Sequence, residues 1–117
     1  MNLEGLISFE TAKLAEEKGF KKLCDFSYDE DGILTGNCEQ SYNYVAPTQS
    51  LLQKWLREKY KIHIVVYVME NSDGNIYYDF GLKRIVNYLS DNSSKPMEFS
   101  TYEEALEVGL QEALKLI

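Results

Sequence analysis

The amino-acid sequence predicts an α+β fold: antiparallel β-hairpins packed by helices, ending in an amphipathic C-terminal helix. Three observations lead there. Two stretches of alternating apolar and polar residues are each broken by an Asp-Gly turn, at Asp31-Gly32 and Asp73-Gly74. Three other stretches begin at a Ser or Thr suited to cap a helix and carry apolar residues at helical spacing. A long βαβ series is absent, which disfavours a doubly wound nucleotide-binding sheet.

The first helix follows Ser8 as N-cap, and Gly19 is a suitable stop. Its stripe, Phe9, Ala12 and Ala15, is modest, so it should cover the edge of a core. A short hairpin follows, with Cys24 to Tyr28 and Ile33 to Gly36 as its arms. Asn37 to Pro47 shows no period and reads as a loop, with Ser41 to Tyr44 as a candidate short strand. Thr48 then caps a second helix, with Pro47 placed just before its start. Leu51, Leu52, Trp55, Leu56 and Tyr60 form its apolar face.

Ile62 to Glu70 is rich in β-branched residues and is the strongest strand, with Asn75 to Leu82 as its partner. The register follows from the pleat, because cross-strand neighbours share a face. A two-residue Asp73-Gly74 loop would set Val68 against Asp79 and mix the faces. A three-residue loop, Ser72-Asp73-Gly74, with a left-handed Gly74 and a bulge, sets Val68 against Tyr78 and Val66 against Phe80. The second register is the expectation. Lys83 to Ser90 fits either a helix or an extension of the strand, and Asp91 to Pro96 reads as a loop. Met97-Glu98-Phe99 fits a brief edge strand. In the last helix Ser100 with Glu103, or Thr101 with Glu104, makes a capping box. Tyr102, Ala105, Leu106, Gly109, Leu110, Ala113, Leu114 and Ile117 form one apolar stripe. Glu103, Glu104 and Glu107 suit the positive end of the helix dipole and Lys115 the negative end. Gly109 lies inside the stripe, where its use would be close packing against the sheet.

The length, 117 residues, suits one domain spanning residues 1–117. A 44% hydrophobic, 26% charged composition is that of a globular chain with a core. The net charge of −7 argues against a general nucleic-acid binder and against docking on an anionic membrane. No apolar run approaches the roughly 20 residues that span a bilayer. The first residues lack a signal peptide's basic start and apolar core, so a cytoplasmic location is expected. Cys24 and Cys38 are expected as thiols rather than a disulfide in that compartment. One histidine and no Cys-x-x-Cys leave no zinc site.

No cofactor or catalytic motif appears: neither a P-loop, nor Gly-x-Ser-x-Gly, nor Gly-x-Gly-x-x-Gly. Asp29-Glu30-Asp31-Gly32 lacks the alternating ligands and closing glutamate of a calcium loop and reads as a solvated turn. His63, on the strand face away from Ile62 and Ile64 and beside Lys83, would need an orienting acid and a pocket to act as a base.

Two candidate contact surfaces remain. The charge is uneven: residues 1–41 hold 9 acids and 4 bases, residues 42–70 hold 2 acids and 4 bases, and residues 71–117 hold 8 acids and 4 bases. The basic centre comes from the second helix, where Lys54, Arg57 and Lys61 share a stripe that could meet an acidic partner or a phosphate, or simply be the wet face. The other surface is the outer face of the long hairpin: His63, Val65, Tyr67 and Met69 beside Tyr77, Asp79 and Gly81. Tyr and Met are enriched at interfaces, so this face suits a partner or a second copy unless a helix layer covers it.

The run Ala46-Pro47-Thr48-Gln49-Ser50-Leu51-Leu52-Gln53-Lys54-Trp55-Leu56-Arg57-Glu58-Lys59-Tyr60 with Ile62-His63-Ile64, and the run from Thr101-Tyr102-Glu103-Glu104-Ala105-Leu106-Glu107 to Leu116-Ile117, carry a resemblance. They resemble a family of small proteins of unknown function from bacterial genomes, phages and mobile elements. The resemblance implies a phage-linked accessory role and assigns no cofactor or catalytic residue. The expectation is therefore a non-enzymatic interaction module. Its alternatives are an acidic anti-defence or DNA-mimic inhibitor, and a small enzyme using His63.

Overall fold

The computed structural model describes residues 5–22, 24–36, 43–84 and 98–117. The element order is α1 (Phe9–Glu17), β1 (Ser27–Tyr28), β2 (Leu34–Thr35), β3 (Tyr44–Val45), α2 (Gln49–Tyr60), β4 (Ile62–Glu70), β5 (Ile76–Arg84) and α3 (Tyr102–Lys115). Helices and antiparallel sheets combine as an α+β fold with a C-terminal helix.

Each helix starts at a residue its sequence offers as a cap, and of Ser100 and Thr101 it is Thr101 that caps the last. Ser8 accepts from the Thr11 N–H, Thr48 from the Leu51 N–H and Thr101 from the Glu104 N–H, so each cap satisfies one of the free donors of a helix start. Glu104 reaches back to the Ser100 N–H at 3.3 Å, one residue earlier than in a strict capping box.

The long hairpin has the expected register: Val68 faces Tyr78, Val66 faces Phe80 and His63 faces Lys83. Its turn closes through Asn71 N–H to Asn75 O at 2.9 Å and Gly74 N–H to Asn71 O at 3.0 Å, with Gly74 at φ 82°. The short hairpin uses the same construction. Asp29 pairs with Ile33, Gly32 sits at φ 82°, and Asp29 Oδ1 accepts from the Asp31 and Ile33 N–H groups, as Asn71 Oδ1 does from Asp73 and Asn75. At Gly32 a side chain would also meet the Phe9 ring at 2.9 Å, so glycine is required there twice over.

Several expectations need correction. The arms of the short hairpin pair over two residues each, not five and four. The stretch before Pro47 is not all loop: Tyr44–Val45 form β3, which pairs with β1, so the small sheet has the order β2-β1-β3. Lys83 and Arg84 extend β5. Phe99 bridges to Tyr78 as a single pair. Tyr102 leaves the stripe of α3 and is exposed, its ring edge-on to Tyr78 at 6.4 Å. The ambiguous residues beyond Arg84, the Asp91–Pro96 loop, Cys38 and Ser41-Tyr42 lie outside the described residues.

The core lies where α3 crosses the inner face of β4 and β5, with α1 and α2 packed beside it. Leu52, Leu56, Ile62, Leu110 and Leu114 are fully buried. Trp55 is held edge-on by Phe20 at 5.2 Å and Tyr60 at 5.3 Å. A Cβ on Gly109 would stand 2.9 Å from Ile64 Cγ2 and 3.3 Å from Phe80, so the glycine lets α3 approach the sheet closely.

Candidate functional site

The base of the inner face of the long hairpin is spent on the core: Ile62, Ile64, Phe80 and Leu82 are buried beneath α2 and α3, while Val68 and Ile76 near the turn stay exposed. The outer face therefore turns outward. Val65, Tyr67 and Met69 are 44%, 41% and 43% exposed, and His63 and Tyr77 are half-buried. Tyr67 does not stand free of the sheet. A Cβ on Gly81 would lie 2.8 Å from its hydroxyl and 3.5 Å from two ring carbons, so the ring lies across Gly81 and covers it. An aromatic ring held on a rigid strand loses little freedom when a partner meets it.

The sheet sets Tyr67, Met69 and Tyr77 side by side on this outer face near the turn, with Met69 directly opposite Tyr77, and places His63 on the same face at the far end of β4. The basic residues form a separate group on α2. Lys54, Arg57 and Lys61 are exposed, and no hydrogen bond or ion pair joins them to the hairpin residues among the described residues. Lys54 lies 4.0 Å from Glu58, an exposed pair of the kind worth little. Lys61 takes the left-handed conformation that ends α2 and donates to Glu58 O at 3.2 Å. This stripe is largely occupied with its own helix. His63 faces Lys83, and no carboxylate orients its ring among the described residues.

Sequence reasoning missed a polar bracket centred on Glu107. One carboxylate oxygen accepts from the Ser8 N–H at 2.9 Å and from the Thr11 hydroxyl; the other accepts from Gln49 Nε2 at 2.9 Å. Gln49 Nε2 also donates to Glu103 O, and Gln111 Nε2 donates to Thr11 Oγ1 at 3.0 Å. Thr11 spends its one proton on Glu107, so the Ser8 hydroxyl is the donor in the 3.0 Å contact between the two. Glu107 thereby ties the starts of α1 and α2 to the middle of α3.

Beside the bracket lies a groove of ≈ 320 Å³, lined by Ile7, Ser8, Tyr28, Gln49 and Glu107 among others. Tyr28 donates to Ile7 O at 2.7 Å, and burial, then the charge of Glu107, pushes its pKa up. The groove has the size of a small-molecule site, yet the hydroxyls of Ser8, Thr11 and Tyr28 are all committed to internal bonds. The arrangement can join elements; it holds no free nucleophile with a base beside it.

Among the described residues no group of three His, Cys, Asp or Glu is placed to hold a metal ion, and no helix is long and apolar enough to cross a membrane. No family model matches the chain, and no curated protein or solved structure matches it either.

Proposed function

We propose that this chain is a small non-enzymatic interaction module. It binds a protein partner, or a second copy of itself, through the outer face of the β4–β5 hairpin around His63, Tyr67, Met69 and Tyr77. A phage or mobile-element accessory role in the cytoplasm is the setting proposed with it. One observation carries the reading: a hairpin of two nine-residue strands buries the base of one face in the core and leaves apolar and aromatic side chains exposed on its other face and toward its tip.

The non-enzymatic part is supported by the committed hydroxyls around Glu107 and by a His63 with no acid partner among the described residues. A DNA-mimic role draws less support. Asp29 and Glu107 are engaged with backbone and side chains of the chain itself rather than presented outward. The test is the double variant Tyr67→Ala with Tyr77→Ala. It should keep the circular dichroism and unfolding cooperativity of the parent while weakening association, read by sedimentation and by pull-down. Unchanged profiles in both would refute the outer face as the contact.

A further inference from the structure

The two edges of the long hairpin differ. Antiparallel strands alternate between pairs that exchange hydrogen bonds and pairs that do not, and the second kind point their N–H and C=O groups away from the partner strand. Asn71 and Asn75 exchange a bond, so Glu70, Val68, Val66 and Ile64 are the β4 residues that point away from β5. The same count applies to β5. There Tyr78 points outward and is met by Phe99, with bonds of 2.8 and 2.9 Å in both directions. On β4, Gln53 of α2 donates to Ile64 O at 2.9 Å. Beyond that bond, from Val66 to Glu70, no strand lies on the β4 edge among the described residues.

Edges of this kind are usually blunted by Lys, Pro or a bulge. This one has none: Val66-Tyr67-Val68-Met69-Glu70 carries one charge, at its end, in a chain of net −7. We propose that a second copy of the chain pairs antiparallel along this edge, centred on Val68, to make a four-stranded sheet. The proposal rests on the reading of the hairpin as a contact surface and names its occupant.

The occupant follows from the register. With Gln53 closing the edge at Ile64 and the turn beginning at Asn71, the available ladder is Val66 to Glu70. Centring it on Val68 sets Val68 against its copy and Val66 against Glu70 of the copy. The two Glu70 carboxylates are thereby kept from direct opposition. On the outer face Tyr67 falls beside Met69 of the copy, a sulfur–aromatic neighbour of favourable kind. Val68, 60% exposed in the single chain, is covered on the inner face. A cationic peptide would find only Glu70 along this edge, so charge selects a near-neutral strand, which the chain itself supplies. Five paired residues per copy bury less than the roughly 800 Å² per partner of a standard interface, so the dimer is weak and concentration-dependent.

Sedimentation velocity from micromolar to millimolar concentration tests this, with Val68→Pro and Val68→Lys as variants. Proline at 68 removes an N–H that points away from β5, so the hairpin keeps its internal bonds. Should Val68→Pro lose the native circular dichroism, Val68→Lys, at an exposed side chain, decides. The expected result is a parent that doubles in mass with concentration and a dissociation constant raised about tenfold or more in either variant. Amide exchange should slow with concentration at Val66, Val68 and Glu70 and stay unchanged at Tyr67 and Met69, already bonded to β5. A parent that remains monomeric to millimolar concentration overturns the proposal and leaves the outer face to a different partner. A dimer insensitive to both Val68 variants but lost in Tyr67→Ala with Tyr77→Ala also overturns it, while upholding the outer face as the contact.

Discussion

Replacing Glu107 by Ala should cost this protein a large share of its stability. The carboxylate accepts from three donors on two other helix starts, Ser8 N–H, the Thr11 hydroxyl and Gln49 Nε2. Removing it takes an acceptor from all three. Thr11 is fully buried and could turn its proton only toward Ser8 Oγ at 3.0 Å, whereas Gln49 keeps its bond to Glu103 O. A stranded buried donor costs about 1–3 kcal/mol, and partial access of water to this site pulls the sum toward about 3 kcal/mol. Glu107→Gln keeps one oxygen for Ser8 and Thr11 but turns an amide NH₂ toward the NH₂ of Gln49. That change should cost about 1–2 kcal/mol. With a urea dependence of about 1–3 kcal/mol per molar, the Ala variant should unfold about 1–3 M earlier, with Gln between it and the parent. Equilibrium urea unfolding followed by Trp55 fluorescence measures both. An Ala variant with an unmoved midpoint would refute the bracket as a structural device and return Glu107 to the list of functional candidates.

Two further outcomes follow from particular contacts. Gly109→Ala gains about 1 kcal/mol of helix propensity but places a methyl group 2.9 Å from Ile64 Cγ2, and overpacking of that kind costs about 1–3 kcal/mol; a net loss, seen as a lower melting temperature, is expected, and a higher one would contradict the close approach of α3. Tyr28 has a folded-state pKa above its unfolded value of 10.0, so the folded state holds the phenol proton more tightly. Its contribution is full below pH 10.0 and is lost as pH rises through the raised folded value. Tyr28→Phe should therefore flatten the alkaline fall in stability while losing about 1 kcal/mol at neutral pH with the bond to Ile7 O, and parallel pH profiles of the unfolding midpoint would count against it.

What could be read in advance was local or periodic. The register of the long hairpin follows from the pleat and one glycine, because only a three-residue loop keeps Val68 and Tyr78 on one face. The caps at Ser8, Thr48 and Thr101 follow from donors three residues away. Glu107 could not be read this way. In the N-terminal half of α3 it looks like any acid on the side of the helix that suits the dipole, and its partners Ser8 and Thr11 lie 99 and 96 residues away. Thr11 and Gln49 offered no apolar signal, although both are buried. The bounds of β3 escape the sequence for a related reason: the candidate strand Ser41 to Tyr44 shares only Tyr44 with it, two residues have no period, and Tyr44–Val45 become a strand because β1 lies beside them. Tyr102 was misplaced because helical spacing says which side of α3 it occupies but not how far the sheet extends beneath it.

The two hairpins share one turn design yet meet different ends, and that difference isolates the candidate surface. Both use an Asx side chain to bind the backbone two and four residues on, with a left-handed glycine between. In the short hairpin β1 is flanked on both sides, by β2 and β3, and the Phe9 ring of α1 packs tilted against Tyr28 and edge-on against Tyr44. In the long hairpin β5 is met by Phe99 and the first part of β4 by Gln53. The free edge of the distal half of β4, opposite β5, receives neither a strand nor a helix among the described residues, although its side chains are as apolar as those of the half that is buried. If stability alone had shaped this strand, the exposed half would be expected to carry the charges that edges use against pairing. It carries Val66, Tyr67, Val68 and Met69 instead, and this contrast within one strand is the strongest structural reason to look for function at the end of the hairpin.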